Sequence, residues 1–374
     1  MVPIGEPDWI DVEVFRLPMS SPDDVTGLQA LLQEGQLKAE EIQAIIAQTE
    51  GTGYARGYAA LCMQLVLAQS LGISTEEVFE RIPLMMIGLC GGLMSPHYTI
   101  FTRRTVLPPQ DPPSGKRLAI GVANTPKLLP EDYGRTTQVE KVAMAVQEAI
   151  QKAGISDLED VHCVEVKCPA MTPARMADAQ ARGQSLVSTN LGQASSFSKA
   201  ACALGVGVAL GEIPAERISD AAINRDFNLY TTRGSVSAGG EQSACRVLVI
   251  GNSSHSISPY RIGHGVMQDQ LDTSGIHTAL KGAGLETFPL TPEEQKRIAQ
   301  VFVNCGADAV TSVRGRRHTI HSDFLAGYAG IMAKAVANAV VASVVGDPMI
   351  LASAGFEHQG PPGSNLVAAI ARVD

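Results

Sequence analysis

The 374-residue sequence has one Trp, 5% aromatic and 18% charged residues, and no run of Lys or Arg longer than Arg103-Arg104 or Arg316-Arg317. A nucleic-acid binder draws affinity from clustered cations that neutralise phosphates. These shortages, together with a formal charge of −9, argue against that class. No apolar run reaches the length of a membrane span. The best, residues 331–345, is interrupted by Lys334 and Asn338 and ends at Gly346-Asp347-Pro348, so it reads as a buried helix. The start, MVPIGEPDWIDVEVF, lacks a basic segment leading into an apolar one, and no signal peptide is expected. The seven cysteines are scattered, with no CxxC pair and no Cys/His cluster at zinc spacing, which points to a reducing cytoplasm.

What the chain does have is 45% hydrophobic residues, 36 glycines and length for two or three compact units. It also repeats itself. From Val12, from Arg117 and from Tyr260 the same order recurs: an alternating strand, a polar cap region, an amphipathic helix with a glycine stop, then a second apolar strand. The helix stops fall at Ala153-Gly154 in the second copy and Ala283-Gly284 in the third. After each copy comes a helix rich in small residues, starting near Gly57, Ser198 and Gly327, and a Ser/Gly/Ala turn near Ile87, Ser237 and Ser353.

The expected fold is therefore α/β: three homologous domains about a pseudo-threefold axis, with strands forming a central barrel-like core and helices outside. The boundaries read as 1–106, a Pro-rich linker at 107–115, 116–251 and 252–374. Equivalent strand ends converging on an axis make the default ligand site.

At the end of the second strand of each copy stand Gln48, Lys167 and Asn304, and at the final turn Ile87, Ser237 and Ser353. Only the middle copy has both an ionisable residue and a hydroxyl. A lysine closing the apolar strand of Val164 and Val166 would be desolvated and its pKa lowered, suiting it to take a proton from a nearby serine. The same residues also suit a solvated strand end and an ordinary turn former. GVGVALGE (residues 205–212) lies inside a helix-like stretch and reads as packing rather than a dinucleotide loop.

Several segments, in order along the chain, resemble the ring-opening amidohydrolases, the family of cyanuric acid hydrolase and barbiturase. They are VKCPAMTPARMADAQARG (166–183), SVSAG (235–239), VRGRRHT (313–319), SVVGDP (343–348) and EHQGP (357–361), supported by SPH (95–97) and LPEDYGR (129–135). The resemblance implies three domains surrounding a small cyclic amide or imide, with Ser237 as nucleophile and Lys167 as its base. It further implies Arg56, Lys199, Arg317 and Ser353 as substrate-binding residues, with Ala238, Ala354, Gly88, Ile87, Gln48 and Asn304 completing the wall.

It implies no cofactor, and a homo-oligomer, tetrameric in the family. Of the family's structural metal, the position of the glutamate ligand is Gly306 here and Gln359 remains, so no metal is expected. His97, His318 and His358 read as structural histidines, and Cys168 and Cys305 as small apolar filling.

Departures from the family pattern shape the functional expectation. Gln48 and Asn304 replace lysines, Ile87 replaces a serine and Lys199 an arginine, leaving at most one full donor set. The expected activity is hydrolysis of a cyclic amide or imide less symmetric than cyanuric acid. The alternatives are a cyanuric or barbituric acid hydrolase, and a non-catalytic small-molecule binding protein on the same scaffold.

Overall fold

The computed structural model describes residues 8–51 and 53–373. The first seven residues of the stretch read for a leader lie outside that range. Among the described residues no single helix is long and apolar enough to cross a membrane.

The first part of the chain runs β1 (Trp9–Pro18), α1 (Thr26–Gln33), β2 (Ile42–Gln48), α2 (Gly53–Leu71), α3 (Thr75–Arg81), β3 (Leu84–Ile87) and β4 (His97–Val106). The middle part runs β5 (Arg117–Asn124), α4 (Thr136–Ala153), β6 (Val161–Pro169), α5 (Pro173–Ala181), α6 (Leu191–Ala209), β7 (Gly234–Gly239) and β8 (Arg246–Ser253). The last part runs β9 (Tyr260–Met267), α7 (Thr273–Gly282), α8 (Pro292–Arg297), β10 (Ile298–Cys305), the short hairpin β11 (Ser312–Val313) and β12 (Arg316–Arg317), α9 (Ala329–Val345), β13 (Leu351–Ala354) and β14 (Asn365–Arg372).

These strands form three four-stranded sheets, ordered β1-β4-β2-β3, β5-β8-β6-β7 and β9-β14-β10-β13. In each, the last pair is parallel and the others antiparallel. The glycine stops appear where the sequence puts them: Gly154 ends α4 in the left-handed conformation, and Gly284 lies just past α7 with φ of 92°. The small-residue helices begin near the expected points for α2, four residues earlier, and α9, two later, while α6 begins seven residues earlier.

The period of α4 explains its seat. Val139, Val142, Val146, Ala149 and Ala153 form a buried stripe, and Gly121 of β5 lies under it, where an added Cβ would sit 2.0 Å from the Ala149 carbonyl. A bare backbone there lets helix and sheet touch.

One large core draws on all three sheets, including Ile46, Ile87 and Phe101 from the first, Cys163 from the second and Phe302 and Leu351 from the third. Phe101 and Phe302 stack across it at 6.3 Å between centroids. Smaller cores lie under the helices of each part.

The closed barrel expected from the repeats is not found among the described residues. The sheets remain separate ladders because the strands at their inner ends are short, and neighbouring sheets meet there through packing and side-chain hydrogen bonds.

Candidate active site

Alternation along β6 points Cys163, Glu165 and Lys167 to one face. The parallel register pairs Lys167 with Ser237 of β7, which brings the two side chains side by side. The corresponding pairs are Gln48 with Ile87 in the first sheet and Asn304 with Ser353 in the third.

Lys167 is fully buried, and its Nζ donates to Met86 O of the first sheet at 2.7 Å and to Ala238 O at 3.3 Å. Gln48 reaches the third sheet: its Oε1 accepts from Ala352 N at 2.9 Å, and its Nε2 donates to Ile87 O at 3.3 Å. Ser353 Oγ donates to Val236 O of the second sheet at 3.4 Å, and Val236 N donates to Gln359 Oε1 at 2.6 Å. Each part of the chain thus holds the strand end of another.

Above these strand ends lies a pocket of about 310 Å³ whose lining includes Ile87, Gly88, Ser237, Ala238, Ser353 and Ala354. Its remaining wall carries three cations, one from each of the small-residue helices: Arg56 from α2, Lys199 from α6 and Lys334 from α9. Arg56 Nη1 donates to Ala238 O at 3.4 Å, and Lys334 Nζ to Gly88 O at 2.6 Å. Lys199 is held by Glu357 Oε1 at 2.6 Å, which also accepts from Ser196 Oγ. Gly88 has to be small, because an added Cβ would lie 2.9 Å from Arg56 Cδ and 3.0 Å from Gly51 O. The next residue, Leu89, also lines the pocket and is held at φ 63° by its N–H to Gly51 O.

Burial dominates the electrostatics. Lys167 is pushed down to about 8 by burial, and Arg56 and Lys334 add to that effect while Glu241 opposes it. Burial brings Lys334 to about 8 as well. Glu165, beneath Lys167, is raised by burial to about 7. On the third-sheet side Asp308 lines the pocket with one buried, unpartnered oxygen, and burial and Glu357 raise its pKa.

Four expected site residues are absent from the pocket lining: Lys167 lies beneath it, fully buried, and three others lie elsewhere. Arg317 is exposed on the β11–β12 hairpin and is not in the pocket lining; Lys334 supplies the third cation. Lys334 was visible in the sequence only as the charge that interrupts an apolar run, one turn into a buried helix. Gln48 is consumed by the two backbones it bridges. Asn304 is too short to cross to the next sheet: its Nδ2 donates to Gly355 O at 2.8 Å and its Oδ1 is buried without a partner. Asp308, in the single helical turn Ala307–Ala309, and Glu241, in the turn after β7, carry no periodic signal in the sequence.

The histidines with two engaged ring nitrogens are structural: His97 contacts Ser95 O and Gln300, and His358 contacts Leu229 O and Asn224 N. The residues present do not fit a hard dication. A Cβ at Gly306 would lie 2.5 Å from Ser364 O, so no carboxylate could be carried there, and Gln359 Oε1 is already bound to Val236 N.

Residues 13–372 match the family described as amidohydrolase ring-opening protein. A cyclic amide hydrolase of Azorhizobium caulinodans is 44% identical over 368 residues, covering 96% of this chain and 99% of its own. A cyanuric acid amidohydrolase of Enterobacter cloacae is 41% identical over 369 residues, covering 97% and 100%. Among solved structures, a cyanuric acid hydrolase superposes with a TM-score of 0.92 at 37% identity, covering 98% of this chain and all of that one. The A. caulinodans cyanuric acid hydrolase gives 0.87 at 36%, covering 97% and 99%. With the family spanning nearly the whole chain, the protein belongs to the ring-opening amidohydrolases, hydrolases of C–N bonds in cyclic amides.

Proposed function

We propose that the protein opens a small cyclic amide or imide less symmetric than cyanuric acid, with Ser237 as nucleophile and Lys167 as base. Lys167 takes the Ser237 proton as Oγ bonds to a ring carbonyl carbon; the ring C–N bond then breaks and its nitrogen receives that proton. The ring-opened chain remains as an ester on Ser237 until water, deprotonated by the same lysine, releases it. Arg56 and Lys334 face the developing oxyanion with positive charge, while Ser353 and Lys199 orient the ring.

The observation that carries this reading is the register. Of three corresponding pairs, only Lys167 with Ser237 joins a base to a hydroxyl. Ile87, with 6% exposure in the pocket wall, supports an apolar edge on the substrate's first-sheet side, because a carbonyl buried against it would lose about 1–3 kcal/mol.

The names of the relatives favour a second reading, hydrolysis of cyanuric acid itself. A screen over cyclic imides, pyrimidines, hydantoins and triazines, read by mass gain of water, separates the two. The proposal expects cyanuric acid to trail the best substrate by about two decades or more in kcat/KM, the scale of losing two charge-assisted donors. Comparable rates would favour the second reading.

The scaffold part of the proposal is three homologous units about a pseudo-threefold axis, divided at residues 106, 115 and 251. The shared strand order of the three sheets supports it. We carry forward a homo-oligomer as well, supported by an apolar stripe of Tyr54, Tyr58, Leu61 and Leu65 exposed along α2. Seven free cysteines are consistent with the cytoplasm as its compartment.

A further inference from the structure

Lys167 has two neutral acceptors, Met86 O and Ala238 O. A neutral amine has two N–H bonds to match them and a lone pair left for the Ser237 proton. Once it takes that proton it becomes an ammonium in a fully buried place, with Arg56 from α2 and Lys334 from α9 adding repulsion. On its own strand Glu165 shares its face, and Cys168, on the opposite face, is near enough to act on it electrostatically.

Across from these lies Glu241, in the turn after β7. Its Oε1 is 3.9 Å from Lys167 Nζ, buried, and without a hydrogen-bond partner. The side chain folds back over the backbone that carries Ser237, so closely that a Cβ on Gly239 would lie 2.0 Å from that oxygen. Glycine at 239 is what allows the carboxylate to sit there. The other side of Glu241 borders an outer groove with Tyr58, Leu61 and Thr172, so the carboxylate lies between solvent and the buried lysine.

We propose that Glu241 is a positioning residue for the hydrolysis, its carboxylate counterbalancing the ammonium formed when Lys167 takes the Ser237 proton. This rests on the Ser237–Lys167 reading above. Without that countercharge the ammonium is less stable, and Lys167 is a weaker base.

The test is the rate at which a fluorophosphonate labels Ser237, measured against pH and mapped by peptide mass. In that reaction the Oγ–P bond forms, P–F breaks, fluoride leaves and Lys167 takes the proton. The wild-type rate should rise with pH about a midpoint near 8, where Lys167 becomes neutral. In Glu241→Gln the midpoint should move to lower pH by about one unit, and the high-pH plateau should fall about tenfold. Glu241→Asp keeps the charge and should hold the midpoint close to wild type. Gly239→Ala, which displaces the carboxylate, should shift it the same way as Glu241→Gln and carries the test if that variant does not fold. An unchanged midpoint in folded Glu241→Gln or Gly239→Ala, whatever happens to the plateau, overturns the proposal. Failure of the underlying reading looks different: wild type would not label at Ser237, or Lys167→Ala would label as fast.

Discussion

The ends of β6 and β2 occupy corresponding places in two sheets of the same strand order, yet one carries a buried lysine and the other a buried amide. Lys167 donates across to Met86 O of the first sheet, whereas Gln48 accepts from Ala352 N of the third and donates to Ile87 O of its own sheet. Both tie two sheets together, but only the lysine can also accept a proton. An amide satisfies the backbone without adding charge, whereas a further lysine beside Lys167, Arg56 and Lys334 would raise repulsion in a low-dielectric site. The comparison separates what this position does for the fold, which either residue performs, from what it does for chemistry.

The strongest way to break this contrast is to remove the middle pair. Ser237→Ala and Lys167→Ala should each lower kcat by about three decades or more, because nucleophile and base act as a unit. Ser353→Ala, the corresponding hydroxyl in the third sheet, should keep turnover and weaken binding. Equal losses at Ser237 and Ser353 would erase the distinction between the sheets.

The next is to make the first sheet resemble the second. Gln48→Lys removes the acceptor for Ala352 N and adds a buried cation, and should cost about 3 kcal/mol in denaturant unfolding. The pH dependence has a definite sign. Lys167 has a folded value near 8 against 10.5 for a lysine in the open chain, so its burial penalty is complete below pH 8 and is relieved as pH rises from 8 to 10.5. Wild-type stability should gain up to about 3 kcal/mol from this group across that window, a gain absent in Lys167→Met.

A smaller effect tests the cations. Lys334→Ala should lower kcat/KM by about tenfold or more, the scale of one charge-assisted hydrogen bond, while Arg317→Ala should stay within about twofold. The reverse order would restore Arg317 to the site.

The smallest concerns the apolar wall. Ile87→Ser, assayed on paired substrates differing by one alkyl group, should shift their kcat/KM ratio against the alkylated partner by about tenfold, the worth of a methyl or so of apolar contact. An unchanged ratio would mean that Ile87 serves only the core.

These contrasts also show what was readable from residues alone. The recurring succession of strand, helix, strand and small-residue helix, the glycine stops at Gly154 and Gly284, and the pairing of Lys167 with Ser237 follow from periodicity and repetition, which are local and recur along the chain. The returning strands β4, β8 and β14 that complete each sheet lie outside that succession. The third cation was not readable. Between Cys305 and Ala329 the chain is mostly turns and a short hairpin, so linear spacing could not decide between Arg317 and Lys334; the helical phase of α9 does. The barrel was inferred from symmetry, but short strands left the sheets joined by side chains such as Gln48. Glu241 depends on a fold-back over Gly239 that no periodic pattern encodes.

The most direct measurement is the mass of the enzyme-bound intermediate. A ring-opening acylation keeps its leaving nitrogen tethered, so enzyme acid-quenched during turnover of the best substrate from the screen should carry the whole substrate mass. Peptide mapping should place that mass on Ser237 and find none in Lys167→Ala. A whole-substrate adduct on Ser353, or one that forms on Ser237 as readily without Lys167, would contradict the assignment of the middle pair.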